Sequence, residues 1–247
     1  MYISIIEFIF LGIIVGSLTG ILGSSGVVAV VPALIIINSV VPQYAIGTSL
    51  LIDVITSAIV AFIYYKNGKV DIKKGMPMII GAIIGSQIGV RIAFSIPPDY
   101  IKYAFAVFIL LTGIYSLLKK KDLQNKKAVN LNYLEIIGIT IPVGLATGIV
   151  GASGGIMFLI ISLIVLKLDI KTAVGTATFS MTISALSGSL GYLVFGKILL
   201  FASVIIGVVS IISGYYFAKI GNRLKPENTR KILGITFILI GAVQLIL

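Results

Sequence analysis

The chain has no cysteine and no histidine, and only 8 acidic residues among 247. Without cysteine there are no disulfides, no thiolate nucleophile and no thiolate-bound metal cluster. Without histidine the usual proton shuttle and the commonest metal ligand are gone as well. Charge of every kind is scarce, at 11% against 58% hydrophobic residues, and the mean hydropathy of +1.17 lies far outside the soluble globular range. The composition is that of an all-α polytopic membrane protein. The net charge of +11 does not point to a nucleic-acid partner, because the basic residues stand in short clusters between apolar runs, as in cytoplasmic loops. The first apolar run has no Lys or Arg ahead of it and no small-residue cleavage site followed by polar sequence, so no removable signal peptide is expected.

What the chain has in quantity is glycine, 27 residues, and its placement repeats. Gly16, Gly20, Gly23, Ser25 and Gly26 return 128 positions later as Gly144, Gly148, Gly151, Ser153 and Gly154, followed there by Gly155. The same offset pairs Glu7 with Glu135, Gly47 and Thr48 with Gly175 and Thr176, Tyr64 with Tyr192, and Gly113 with Gly241. The unit is too long for a solenoid and too apolar for two soluble domains, so it reads as two halves of one membrane body. The expected division is residues 1–118 as the first repeat, 119–132 as a cytoplasmic linker and 133–247 as the second repeat, together one transmembrane domain.

Each half opens with an apolar region, 5–37 and 134–166, broken in the middle by its glycine cluster. About 33 residues is short for two crossings and long for one. A re-entrant helical hairpin that leaves on the side it entered fits this length, and a pair of short full crossings preserves the same parity. Three plain crossings follow in each half, over 44–65, 75–94 and 99–118, then 173–195, 200–218 and 229–247. An odd number of net crossings per half requires the two tandem copies to be inverted in the membrane. Loop charges agree: with residue 1 outside, only Arg91, Lys102 and Lys197 fall outside, and every other basic residue falls on the cytoplasmic side. Eight crossings with parallel repeats would divide the basic loops almost evenly.

In the hairpin arrangement the second limb begins near mid-membrane, so its first turn offers unpaired N–H groups and the positive end of a helix dipole to an anion. The candidate substrate-binding residues are Gly23, Ser24, Ser25 and Gly26 in the first cluster, and Gly151, Ser153, Gly154 and Gly155 in the second. Thr48 and Thr176 are added as polar groups early in corresponding helices. Gly16, Gly20, Gly81, Gly85, Gly89, Gly144 and Gly148 read instead as close-packing positions. On this basis Gly154→Ala and Ser153→Ala should weaken binding with little loss of folded protein. Asp53, the one carboxylate deep in an expected span, has Met181 as its repeat partner and is the candidate for proton coupling; a structural hydrogen bond is the alternative. Gln87, Ser49 and Thr178 rank lower. Tyr44, Tyr64, Tyr65, Tyr100, Tyr133 and Tyr192 lie near span ends and read as interfacial anchors.

Two motif matches carry no chemistry. Gly151 to Gly155 satisfies G-x-S-x-G, yet a chain without histidine lacks the usual base. Gly191, Gly196 and Lys197 have Walker A spacing, but Ile198 stands where Ser or Thr should bind magnesium. No catalytic residue, cofactor or metal site is expected, and the chain reads as not an enzyme.

The doubled Gly-x-x-Gly-x-Ser-Gly clusters, each followed about twenty residues later by Ala45-Ile46-Gly47-Thr48 or Ala173-Val174-Gly175-Thr176, resemble the sulfite exporter TauE/SafE family, also called the 4-toluene sulfonate uptake permease family. The resemblance spans nearly the whole chain. It implies a prokaryotic-type permease of the cell membrane moving sulfite, sulfonates or related organic anions. Ser24-Ser25-Gly26-Val27 departs from the more glycine-rich pattern that Ser153-Gly154-Gly155 keeps. The expected partners are a small anionic substrate, membrane lipid and a coupling proton or cation, with homo-oligomerisation left open. The competing readings are a transporter of another small organic anion, a non-transporting scaffold and an intramembrane enzyme.

Overall fold

A computed structural model describes residues 5–22, 29–118, 131–151, 154–221 and 226–246. Among these there is no strand. The helices are α1 (Ile5–Leu22), α2 (Val30–Pro32, continued by a π turn over Ala33–Ile37), α3 (Pro42–Lys66), α4 (Ile72–Ser95), α5 (Pro98–Leu118), α6 (Tyr133–Val150), α7 (Gly155–Ile164), α8 (Ile170–Val194), α9 (Leu200–Gly221) and α10 (Pro226–Ile246). Five of them, in α3, α4, α6, α8 and α9, are long and apolar enough to cross a membrane, and shorter apolar helices cover Ile5–Thr19 and Gly234–Ile246. The starts of α1, α3, α4 and α5 recur 128 residues later as those of α6, α8, α9 and α10. Local sequence dictates several of these starts. Pro42 opens α3 at a position where no N–H is needed, and Asn132 with Glu135 forms a reciprocal capping box on α6. Asp169 caps α8, and hydrogen bonds from Thr172 hold its carboxyl below the usual carboxylate range.

The halves are interleaved. The main partner of α1 is α9, and that of α6 is α4; α3 lies along α8, and α5 along α10. Glycines set the closest of these approaches. A methyl group on Gly85 would meet the Ile141 carbonyl and, at 2.8 Å, Leu145 N; one on Gly144 would meet the Ala82 carbonyl and, at 2.9 Å, Ser86 N. On the other side Gly16 lies against Ser213 and the Ser210 carbonyl. Backbone touches backbone in both seams, which is the small-residue packing expected of helices in lipid.

Gly47 meets Tyr192, Leu50 meets Gly188, and the Thr182 hydroxyl donates to Ser57 Oγ at 2.8 Å. Falling numbers on α8 against rising numbers on α3 mean that these repeat counterparts run antiparallel. The same holds for α5 and α10, where Gly113 meets Ile238 and Leu110 meets Gly241.

The repeated Gly-Thr pair joins the halves at both ends of this antiparallel pair. The Lys197 carbonyl lies on Gly47 while Thr48 Oγ1 accepts the Leu199 N–H at 3.0 Å; the Lys69 carbonyl lies on Gly175 while Thr176 Oγ1 accepts the Asp71 N–H at 2.9 Å. Glycine gives the loop room, and threonine pairs a part-buried backbone N–H of the loop. Thr48→Val and Thr176→Val keep the shape and leave that N–H unpaired, so each should lower stability by about 1 to 3 kcal/mol. Thr178→Val removes only a bond to Val174 within its own helix and should cost much less. Thermal unfolding of the purified variants checks the ranking, and equal melting temperatures for all three would count against it.

Candidate functional site

The second glycine cluster forms the turn of a hairpin. At one end of it Leu131 and Ile136, before and within the first turn of α6, share an apolar cluster with Leu166 and Leu168 beyond α7, so both limbs return to the same face of the bundle. That face also holds the α3–α4 loop with Lys66, Lys69, Lys73 and Lys74, because this loop rests on the start of α8. The second apolar region therefore leaves and returns on one side, the parity that a re-entrant hairpin and a pair of short crossings share. Gly151 closes α6 with φ +72° and Gly154 opens α7 with φ +64°, two left-handed positions that suit glycine.

The turn lies well inside the bundle. A methyl group on Gly151 would meet Ile46 and Ser49 of α3 at 2.9 Å, and one on Gly155 would meet Met181 Sδ of α8 at 2.7 Å. Met181 stands eleven residues after Ile170, about 16 Å along the helix and so about half of the ~30 Å apolar thickness of a bilayer. The 10 residues of α7 cover the return, about 15 Å. Its N-cap, Gly154, offers no side chain to the first turn. A helix start of this kind, enclosed by protein, presents N–H groups and a partial positive charge.

Two helix ridges border it. On α3, Ile46, Ser49 and Asp53 follow one another at helical spacing, so Asp53 lies one turn deeper along the ridge that touches Gly151. Asp53 is 1% exposed. Its backbone carbonyl accepts the Thr56 and Ser57 hydroxyls at 3.1 and 2.6 Å. On α8 the corresponding ridge carries Met181 and, one turn on, Ser184, which is fully buried. Nothing in the sequence singled out Met181 or Ser184, since a methionine and a serine in an apolar helix are ordinary.

Gly23, Ser24, Ser25, Gly26 and Ser153 lie outside the described residues. Thr48 and Thr176 do not border the turn with their hydroxyls; they hold the loops described above. Gly154 differs from the expectation that alanine would be tolerated there: its positive φ disfavours any side chain, and a methyl group would stand 2.5 Å from Val143 Cγ1. An alanine at 154 would strain the turn itself. Gly155 is the better probe of the site, because only the end of the flexible Met181 side chain opposes it. Tyr192 is a second correction. Rather than anchoring at an interface it is fully buried, with Phe94 beside its ring, and its hydroxyl donates to the Gly148 carbonyl at 2.9 Å. The α6 and α4 backbones close over the end of α8 and turn a terminal tyrosine inward. Gln87 binds across to Ser187, donating to its carbonyl at 2.6 Å.

The Sulfite exporter TauE/SafE family profile matches residues 8–243. The chain belongs to the TauE/SafE family. Among its relatives in this family, a probable membrane transporter protein of Bacillus subtilis, YunE, is 28% identical, with 96% of each chain covered. A second from that organism, YdhB, is 30% identical over 88% of this chain and 90% of its own. The more distant probable membrane transporter protein ORF9 of Sinorhizobium is 22% identical over 89% of this chain. No solved structure matches. As a TauE/SafE protein the chain is a multi-pass membrane transporter and not an enzyme. Its G-x-S-x-G match falls between the end of α6 and the start of α7, and its Walker-like glycines belong to the end of α8 and the turn after it.

Proposed function

We propose that this transporter carries a small sulfur-containing oxyanion or an organosulfonate, with sulfite as the first candidate, bound at mid-membrane where the start of α7 meets Ser49 and Asp53 of α3 and Met181 of α8. The observation that carries this reading is the start of α7, which has a glycine N-cap and is enclosed by Val143 of α6 and Met181 of α8. Helix starts bind anions through N–H groups and the dipole, and glycines at 154 and 155 let the ligand approach the backbone. The family's description as sulfite exporters supports the choice of a sulfur oxyanion. Gly23, Ser25 and Gly26 have the same residue types at the same repeat offset as Gly151, Ser153 and Gly154 and, with Ser24, are assigned the matching half of the site. A coupling proton is assigned to Asp53, and the membrane is the cell membrane.

The test is direct binding to purified protein across sulfite, sulfate, methanesulfonate, acetate and chloride, followed by flux in proteoliposomes. Binding and flux should be strongest for sulfite or the sulfonate. A preference for acetate would move the substrate to another class of organic anion, and no binding or flux with any of them would sink the transport reading.

We also infer that the halves are inverted copies, a reading supported by the antiparallel run of α3 with α8 and of α5 with α10. Because the chain has no cysteine, single cysteines give a clean readout. Cysteines at Asn125 and Asn222 should react with an impermeant maleimide only from the cytoplasmic side, and one at Ser39 only from outside. Ser39 is chosen over its neighbour because Asn38 is buried and bonded to Glu7 at 3.1 Å, whereas Ser39 is exposed. Labelling of Asn222→Cys from outside would revive parallel repeats.

A further inference from the structure

In an apolar helix a serine ordinarily donates its hydroxyl to the carbonyl one turn back. Along α8 Thr178, Ser180 and Thr182 all do so, and Ser187 is bonded to Ser86 and Gln87 of α4. Ser184 does not. Its Oγ is fully buried and has no hydrogen-bond partner among the described residues, whereas its repeat counterpart, Thr56, donates to Ile52 and Asp53 carbonyls at 3.1 Å. A buried hydroxyl without a partner is destabilising, so a group that supplies the missing acceptor would be bound favourably.

The direction of Ser184 follows from its neighbours. Three residues before it, Met181 touches Gly155 at the start of α7; three residues after it, Ser187 touches α4. At about 100° per residue, Ser184 faces between these two contacts. That sector lies between α7 and α4, the side on which α6 packs along α4 and Val143 approaches Gly154. The hydroxyl thus lies in the wall beside the uncapped helix start, at the depth of the turn.

We propose that Ser184 is a substrate-positioning residue whose hydroxyl donates to one oxygen of the anion held at the start of α7. The proposal rests on the anion-site reading above and adds the side chain that completes it. The N–H groups of α7 approach the ligand from one side and Ser184 from α8, which suits a ligand with several oxygens, such as sulfite or an alkyl sulfonate.

A positioning role and a structural role predict opposite effects of Ser184→Ala. Since the hydroxyl has no partner in the ligand-free protein, its removal should leave the anion-free melting temperature unchanged or raise it. The Kd for sodium sulfite and sodium methanesulfonate, measured calorimetrically on the purified full-length chain, should rise about tenfold. Ser180→Ala, which deletes a hydroxyl already bonded to Thr176, should leave Kd unchanged. A wild-type Kd in Ser184→Ala would overturn the proposal while leaving the anion site intact. A fall in the anion-free melting temperature of Ser184→Ala would also overturn it, by revealing a structural partner. If the wild-type protein binds neither anion, this proposal and the anion-site reading fall together.

Discussion

Gly148→Ala should sharply lower the stability and yield of the folded protein. In the α4–α6 seam the added methyl would meet the Ser86 carbonyl, Val90 N at 2.7 Å and Gly89 C at 2.9 Å, all of them backbone. Backbone within a helix cannot yield as a side chain does, so the two helices must separate and forfeit the contacts along Gly81, Gly85, Gly89 and Gly144. Overpacking of this kind costs about 3 kcal/mol, a large share of the ~5 to 15 kcal/mol by which folded proteins are stable. The shift would also disturb the bond from Tyr192 to the Gly148 carbonyl. Gly155→Ala provides the contrast. There the methyl meets only Met181 Sδ, at 2.7 Å, and a thioether on three rotatable bonds can swing aside. That variant should fold with a near-normal melting temperature and bind sulfite about tenfold more weakly, because the methyl and the displaced sulfur both narrow the approach to the α7 N–H groups. Size-exclusion profiles and melting curves read the first effect, and calorimetry the second. A Gly148→Ala protein as stable as wild type would show that the seam is looser than its geometry indicates. An unimpaired Gly155→Ala would move the anion elsewhere.

Asp53→Asn should abolish pH-driven accumulation while preserving exchange. Asp53 is 1% exposed, deep in α3, on the ridge that meets the hairpin turn. Two negative charges in one low-dielectric cavity repel strongly, so an anion entering beside this carboxyl is best accommodated when a proton enters with it. One coupled proton lets each unit of pH difference drive about tenfold accumulation. Asparagine imitates the protonated form in shape and charge, so the variant should still bind and exchange anion, with an affinity that no longer changes with pH. Proteoliposome uptake under an imposed pH difference, beside counterflow at equal pH, separates the two. Unchanged pH-driven uptake in Asp53→Asn would reduce Asp53 to a structural residue and require another coupling ion or none.

Much of this architecture follows from features that are local in sequence. The 128-residue repeat, the apolar lengths and the basic loops need no neighbour to be read, and α6, α8, α9 and α10 start where the first half's numbering requires. The return of the second apolar region to the side it left was likewise legible, because about 33 apolar residues broken by glycine suit a re-entrant hairpin or a pair of short crossings, and both keep that parity. Asp53 stood out for the same reason, since a carboxylate within an apolar run is expensive wherever the run is packed.

Tertiary structure decided which helices meet and what each small residue is for. Helices such as α1, α6 and α9 are apolar nearly all round, so periodicity selects no face and names no partner. Only the fold pairs α6 with α4 and α1 with α9, and only that pairing makes Gly148 a packing glycine. Gly154 and Gly155 are neighbours in sequence, yet the first is held by its φ and by Val143 while the second faces a movable sulfur. Thr48 and Thr176 were legible as a repeated pair but not as loop acceptors, because their partners Leu199 and Asp71 come from the opposite half. Ser184 carried no signal of its own. A serine becomes notable only when its surroundings leave its hydroxyl buried and unbonded, and surroundings belong to the folded chain.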